Sequence, residues 1–439
     1  MIPTSTLFDQ STVMQLCEHD RVVQRYRRLF ALFDWDVLPT RAAHLPGPHP
    51  HPESAYIKAF LVKLCEGKAS VTHLRTYLVE HPLLVLELGF TPVLEPSAPY
   101  GFDVQRTLPG DRWLRHQQRT LSLDHLRLLL GRTVEALCEE IPGLGETVAI
   151  DVKHIYAWVK ETNPREYLTH RFKKEQQPTG DPDCRLGVKR SHNREHADGS
   201  TTASKECLWG YGSGVVAATT PDYGDVVLAE YTQPFNCADV SYYDVLVQCL
   251  LLYLPKRVAH LAADAAFDAW YIYEDYAEIG GIAAIPLKES PQRIYQRDTD
   301  GIPLCPKGWR MHRCASIHHP DGYLAHRYGC PILAQHPGMP EQCDHARFAT
   351  GGCMTDINAE RGGLLRLTLD RSSPLYRAIY CQRTSAERIN SQAKELGIER
   401  PRVRNQCSVE RLNILTYLLI NAKALQRARQ INQSLLAWE

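Results

Sequence analysis

Apolar residues recur at three- and four-residue steps through CEHDRVVQRYRRLFALFDW and through SAYIKAFLVKLCEGKASVTHLRTYLVEHPLLVLELGF. That period predicts helices over most of the first hundred residues. Between them, LPGPHPHPES interrupts any helix, because proline has no amide to donate. TLSLDHLRLLLGRTVEALCEE predicts another helix, with Ser122 as its N-cap before Asp124. The pattern changes near residue 147. TVAIDVKHIYAWV (147–159) is β-branched and aromatic, which predicts a strand. A polar, basic loop is expected from Lys160 to about Lys205. WGYGSGVVAATT and DVVLAEYTQP then read as paired strands turning at PDYG. SYYDVLVQCLLLYL reads as an amphipathic helix, KRVAHLAAD as a buried strand ending at Asp264, and GGIAAIPLK as a strand after a short helix. This order is an α/β pattern with one mixed sheet and flanking helices. A Cys-, His-, Gly- and Pro-rich segment from Glu289 to about Gly363 interrupts it, and the residues beyond are helical again.

With 439 residues the chain is long enough for several domains. The pattern divides it into an all-helical N-terminal domain (1–115), the first part of an α/β core (116–288), an insertion subdomain (289–363) and C-terminal core helices (364–439). Fifty Lys and Arg balance fifty Asp and Glu, so a polyanion would have to bind a local patch. Residues 383–439 are such a patch, with ten basic residues against five acidic. The 160–195 loop is another, with nine against six. Solvated helix faces are the plainer explanation of most of these charges. No apolar run is long enough to span a bilayer. MIPTSTLFDQ lacks the basic start and apolar core of a signal peptide, so a cytoplasmic protein with reduced thiols is expected.

Two aspartates stand out by position. Asp151 sits inside the apolar strand AIDVKHI, where an unpaired carboxylate is costly. Asp264 ends HLAAD, where a turn or helix cap is the ordinary role. A third acid lies in YCQRTSAERINSQAK. At ~100° per residue, Tyr380, Arg383, Glu387 and Lys394 of a single helix fall within an arc of roughly 60°. Ala386, Ile389, Ala393 and Leu396 fall on the opposite side and predict the packed face. Arg383 and Glu387 also have the spacing of a plain i,i+4 ion pair.

Those four polar residues form Y-x2-R-x3-E-x6-K, which resembles the signature of the DDE transposases carried by bacterial insertion sequences. AIDVKHIYAW and LAADAAFDAW resemble the strands that bear the first and second acids of that superfamily. The helical region from Glu53 to Phe90 is similar to its N-terminal part. The resemblance implies an RNase H-like mixed sheet in which Asp151, Asp264 and Glu387 hold two Mg²⁺ ions, with Mn²⁺ able to substitute. It implies cleavage of double-stranded DNA at terminal inverted repeats and transfer of the 3′-hydroxyl to target DNA. Paired metals suit in-line displacement at phosphorus, and carboxylates suit Mg²⁺. Tyr380, Arg383 and Lys394, with Arg402 and Arg404 of PRVRN, would contact DNA. Synapsis of two ends implies a homodimer on the bacterial nucleoid, with the N-terminal helices binding DNA or dimerising. One departure is Ala265-Ala266-Phe267-Asp268 where the superfamily often has Gly-Tyr, which makes Asp268 a competing acid. Two rival readings are a transposase-derived DNA-binding protein without catalysis and a nuclease that cuts without joining.

Weaker signals remain. Cys305, Cys314, Cys330 and Cys343, with Cys353 nearby, are candidates for a structural zinc. Their irregular spacing and the lack of a C-x2-C pair favour partly buried thiols instead. Trp309 is a candidate for base stacking, although packing in a small β subdomain is its commoner fate. His154 and His260 flank the acids, where hydrogen-bonded core histidines are usual. Lys68-Ala69-Ser70 suits the turn of a helix-turn-helix or of plain helical packing.

Overall fold

A computed structural model describes residues 10–39, 51–162, 178–195, 201–254, 257–288, 296–320, 322–338 and 340–436. The Pro/His connector and much of the 160–195 loop lie largely outside them. The protein is a mixed α/β structure of two compact units. The first comprises Met1–Gly145, Ala149–Arg257 and Thr384–Glu439, and the second Glu146–Val148 and Val258–Arg383.

The first unit opens with eight helices among the described residues. These are α1 (Gln10–His19), α2 (Arg21–Phe30), α3 (Glu53–Cys65), α4 (Val71–Glu80), α5 (Pro82–Leu88), the single turn α6 (Val104–Thr107), α7 (Asp111–Thr120) and α8 (Leu123–Glu140). Their starts follow local chemistry. Ser70 and Ser122 accept the His73 and His125 amides at 3.2 and 3.3 Å, each satisfying an amide that the first helical turn leaves open. The Lys68-Ala69-Ser70 turn thus joins α3 to α4, and Lys68 places its ammonium 4.5 Å from the Tyr77 ring.

The strands are β1 (Thr147–Tyr156), β2 (Arg185–Glu195), β3 (Thr201–Thr220) and β4 (Gly224–Pro234). β3 pairs antiparallel with the other three. β2 corrects the expectation of one continuous loop over 160–205. Its sequence RLGVKRSHNRE lacks an apolar alternation, so its strand rests on backbone pairing to β3, which local pattern does not reveal. Helix α9 (Tyr243–Tyr253) follows β4. The unit closes with α13 (Thr384–Glu395) and the 31-residue α14 (Gln406–Leu436).

Each face of the sheet has its own cover. Gly212 and Gly214 lie under the start of α9: a Cβ on Gly214 would sit 2.5 Å from Tyr242 Cδ1, and one on Gly212 2.3 Å from its Oη. Only glycine lets the chain approach that closely. On the opposite face Ser213 Oγ lies 3.0 Å from Tyr417 Oη of α14, whose Asn413 and Asn421 donate to Thr232 Oγ1 and Val227 O of β4. Helix α14 is apolar around most of its circumference through Ile414–Leu425, as expected of a buried helix.

In the second unit, β5 (His260–Ala263) and β6 (Ile282–Ala284) pair in parallel, connected through α10 (Trp270–Glu278). At the start of β5 the Ala259 and His260 amides donate to Glu146 O within the same unit. A three-stranded antiparallel sheet of β7 (His312–His318), β8 (Leu324–Gly329) and β9 (Thr355–Asn358) follows within the Cys/His-rich segment. α11 (Arg361–Thr368) and α12 (Pro374–Cys381) complete the unit. No described helix is long and apolar enough to cross a membrane.

Candidate active site

Strand alternation decides where Asp151 faces. It pairs with Val215, which pairs with Glu230, so the three share the sheet face that α14 covers. Val152 faces the other way, toward Gly212 and Tyr242. On its own face Asp151 Oδ2 accepts a 2.8 Å hydrogen bond from Asn390 Nδ2 of α13. Glu387 precedes Asn390 by one turn and is exposed, whereas Asn390 is buried. Residues three apart are neighbours on a helix surface, so α13 carries Glu387 beside the point where it meets Asp151.

The docking of α13 follows the sequence pattern. Ala386, Ile389 and Ala393 are fully buried, and Leu396, just past the helix, is half-buried. Arg388, which sequence reasoning passed over, grips Asp225 through Nε–Oδ2 at 2.8 Å and Nη2–Oδ1 at 2.6 Å. Such a fork fixes orientation as well as distance. Glu387 lies in the first turn of α13 and Lys394 in the last, each where the helix dipole favours its charge. Glu399 lies between two lysines, 3.2 Å from Lys394 Nζ and 3.8 Å from Lys153 Nζ.

Tyr380, Arg383, Glu387 and Lys394 do not share a helix. α12 ends at Cys381, and the Gln382 and Arg383 amides close its last turn on Ile379 and Tyr380 carbonyls. α13 begins afresh at Thr384. The local run Gln382-Arg383-Thr384 breaks a helix that side-chain periodicity alone would carry through. Tyr380 belongs to the second unit, where its ring stacks on Tyr376 at 5.8 Å and 12°, with the Arg383 guanidinium 5.8 Å from its centre.

The other acids also occupy the second unit. Asp264 follows the last residue of β5, and its Oδ1 caps a 3-10 turn over Ala265–Phe267 by accepting the Ala266 amide at 2.8 Å. Asp268 has a different fate. Its carboxylate is fully buried and forms a fork with Arg366, with Nε–Oδ1 at 2.6 Å and an ion pair from Nη2 to Oδ2. Tyr273 Oη and the Lys288 amide donate to it as well, at 2.9 and 2.7 Å. With both oxygens engaged, Asp268 is a structural anchor.

Sequence reasoning missed the acid next along the sheet from Asp151. Glu230 is buried and accepts from Thr232 Oγ1 at 2.5 Å and Ser213 Oγ at 3.2 Å, while its Oε2 has no partner. Burial, then the charge of Glu410, pushes the Glu230 carboxyl up to about 8, against the pull of Thr232, Arg127 and Ser213. Burial thus favours the protonated form of Glu230. Its only sequence signal is a lone acid in the apolar run VVLAEYT.

The donors at Asp151 fit a hard divalent cation. Carboxylate and amide oxygens are its preferred ligands, and Asn390 Oδ1 is buried with no hydrogen-bond partner beside Asp151. Among the described residues, no three or more His, Cys, Asp or Glu side chains gather closely enough to hold a metal ion. All the cysteines are free. Cys305 and Cys353 are buried with Met311 and Tyr328, and Trp309 packs against them, which is the plain packing role for all three. Cys314 is exposed and Cys343 half-buried. His260 Nδ1 lies 3.2 Å from the Ile282 amide, and the His154 ring packs 4.3 Å from Phe235, both in structural positions. No protein-family model matches the chain, and no curated protein is significantly similar to it.

Proposed function

We propose that the protein is a DDE-type DNA transposase with an RNase H-like core, cutting at transposon ends and transferring the 3′-hydroxyl into target DNA. The observation that carries this reading is the Asn390–Asp151 hydrogen bond of 2.8 Å. It joins the strand and the helix that bear the first and third acids of the resemblance, although residues 152–389 lie between the two partners in sequence.

Bound Mg²⁺ or Mn²⁺ would supply charge neutralisation at the scissile phosphate, with Asp151 and Glu387 as its ligands and Asp264 as the third acid by resemblance. The chain's own residues prepare the site. Asn390 holds one Asp151 oxygen in place, which fixes the carboxylate's direction. Arg388, locked to Asp225, and the buried Ala386, Ile389 and Ala393 hold α13 to the sheet, so Glu387 is carried on a rigid element. Lys394, Arg402 and Arg404 are exposed cations on the same C-terminal segment and suit phosphate contacts. Arg383 and Tyr380 stand together as a second phosphate or sugar contact.

Purified protein incubated with its element's terminal repeats and Mg²⁺ should give nicked and joined products. Asp151→Ala, Asp264→Ala and Glu387→Ala should each abolish both. Full activity in Glu387→Ala refutes the site. Binding without cleavage identifies a DNA-binding derivative, and cleavage without joining a nuclease. Cross-linking on repeat DNA should trap a homodimer.

A further inference from the structure

After α13 the chain passes through Arg400-Pro401-Arg402-Val403-Arg404 without regular secondary structure. The three arginines are exposed, while Pro401 and Val403 are buried. Burial thus alternates along this stretch, seating the two apolar side chains and presenting three guanidinium groups outward. Among the described residues none of the three is ion-paired. Burial, and secondarily the charge of Arg402, holds the Lys63 ammonium below its ordinary lysine pKa.

This arginine row lies along the end of β1. The Tyr156 amide donates to Glu399 O at 2.9 Å, and Arg404 Nε donates to Trp158 O at 3.4 Å. Two aromatic rings meet the row. The Arg400 guanidinium lies 4.3 Å from the Tyr156 ring centre, and that of Arg404 lies 5.0 Å from Trp158. Trp158 is nonetheless 51% exposed, so the arginine braces the indole without covering it. Guanidinium contact and a short side chain with few rotatable bonds make this a preset stacking surface.

We propose that Tyr156, Trp158, Arg400, Arg402 and Arg404 form a track for unpaired DNA, with a base stacking on Trp158 and backbone phosphates along the arginine row. An acidic peptide would satisfy the arginines and leave the indole without a role. A duplex satisfies the arginines too, but its bases are stacked on one another and offer no free face. A single strand uses both features, as ring platforms with cationic flanks do elsewhere. Asp151 lies five residues before Tyr156 on the same strand, so the track starts on the element that carries the first acid. The choice of DNA over RNA rests on the transposase reading, whereas the stacking geometry does not.

The test uses the full chain, a labelled oligothymidine and a duplex of equal length at fixed salt, read by fluorescence anisotropy. The single strand should bind more tightly than the duplex and quench tryptophan emission. Trp158→Ala should weaken single-strand binding by about 5- to 150-fold, the range for loss of one stacked base, with duplex binding unchanged. Trp158→Phe should restore most of it. Arg402→Ala should weaken both and flatten the salt dependence. The melting temperature of each variant checks its fold. Wild-type affinity in Trp158→Ala overturns the proposal, as does a Phe variant as weak as the Ala variant in a folded protein. Tighter binding to oligouridine overturns the choice of DNA. The two readings fail separately: Trp158-dependent binding without any nicking or joining removes the transposase reading alone. Nicking and joining with single-strand binding indifferent to Trp158 removes the track alone.

Discussion

Asp264 and Asp268 are four residues apart, and the resemblance alone leaves both as candidates for the second acid. The structure separates them by what each carboxylate already holds. Replacing Asp268 with Ala strips Arg366 of both fork bonds and removes the acceptor of Tyr273 and of the Lys288 amide. Breaking a buried ion pair from one side costs ~3–5 kcal/mol. The Arg366 side chain is 29% exposed, so water recovers part of its solvation and the low end, about 3 kcal/mol, is expected. At about 2–4 °C per kcal/mol, melting of the second unit should fall by roughly 6–12 °C. Asp264→Ala removes one capping bond to the Ala266 amide, worth about 1 kcal/mol, and should lower melting by only a few degrees. Differential scanning calorimetry gives the shifts, and hydrogen exchange over 260–288 and 361–371 locates them. Cleavage assays below the melting point complete the contrast: Asp264→Ala should be folded and inactive, Asp268→Asn destabilised and active. An Asp268→Ala protein that melts like wild type refutes the anchoring role. A folded, inactive Asp268→Asn beside an active Asp264→Ala reverses the assignment.

The raised carboxyl of Glu230 predicts a pH dependence of definite sign. Between the unfolded value near 4.5 and the folded value of about 8, the folded chain holds a proton that the unfolded chain has lost. Stability from this group is thus fully present below pH 4.5 and declines as pH rises toward 8. Urea midpoints from pH 5 to 9 should fall in wild type and less steeply in Glu230→Gln, and equal slopes refute it. Asn390→Ala should cut the cleavage rate about 10- to 100-fold, the usual cost of losing a group that orients a metal ligand, with DNA binding retained. A rate within error of wild type would remove Asn390 from the site. Gly214→Ala places a methyl against Tyr242 and should cost about 1–3 kcal/mol by overpacking, read as a lower urea midpoint.

Much of this arrangement was legible before any coordinates. The three-to-four period gave α3, α4 and α8, with the Ser122 cap, and the β-branched run gave β1. The apolar back of α13 is legible in the same way, and so is the β3–β4 pairing with its turn at Pro221–Gly224. These features are local: a helix or strand shows in its own sequence which side it will bury, because burial must repeat with the backbone's period.

Other features depend on partners that the local pattern does not name. Sequence placed Asp264 and Asp268 in one short stretch, but only tertiary structure brought Arg366, 98 residues further on, to Asp268. Periodicity carried one helix through Tyr380–Lys394, whereas the fold closes α12 at Cys381 and assigns the two halves of the motif to different units. Polar β2 was invisible because its strand rests on pairing with β3, and Glu230 looked like any strand acid until the sheet aligned it with Asp151. The sequence by itself therefore determined the strongly periodic elements, the faces they pack, and the acids of the motif worth testing. Tertiary structure decided which acids are already spent on structure, because hydrogen-bond saturation and burial are set by residues distant in the chain.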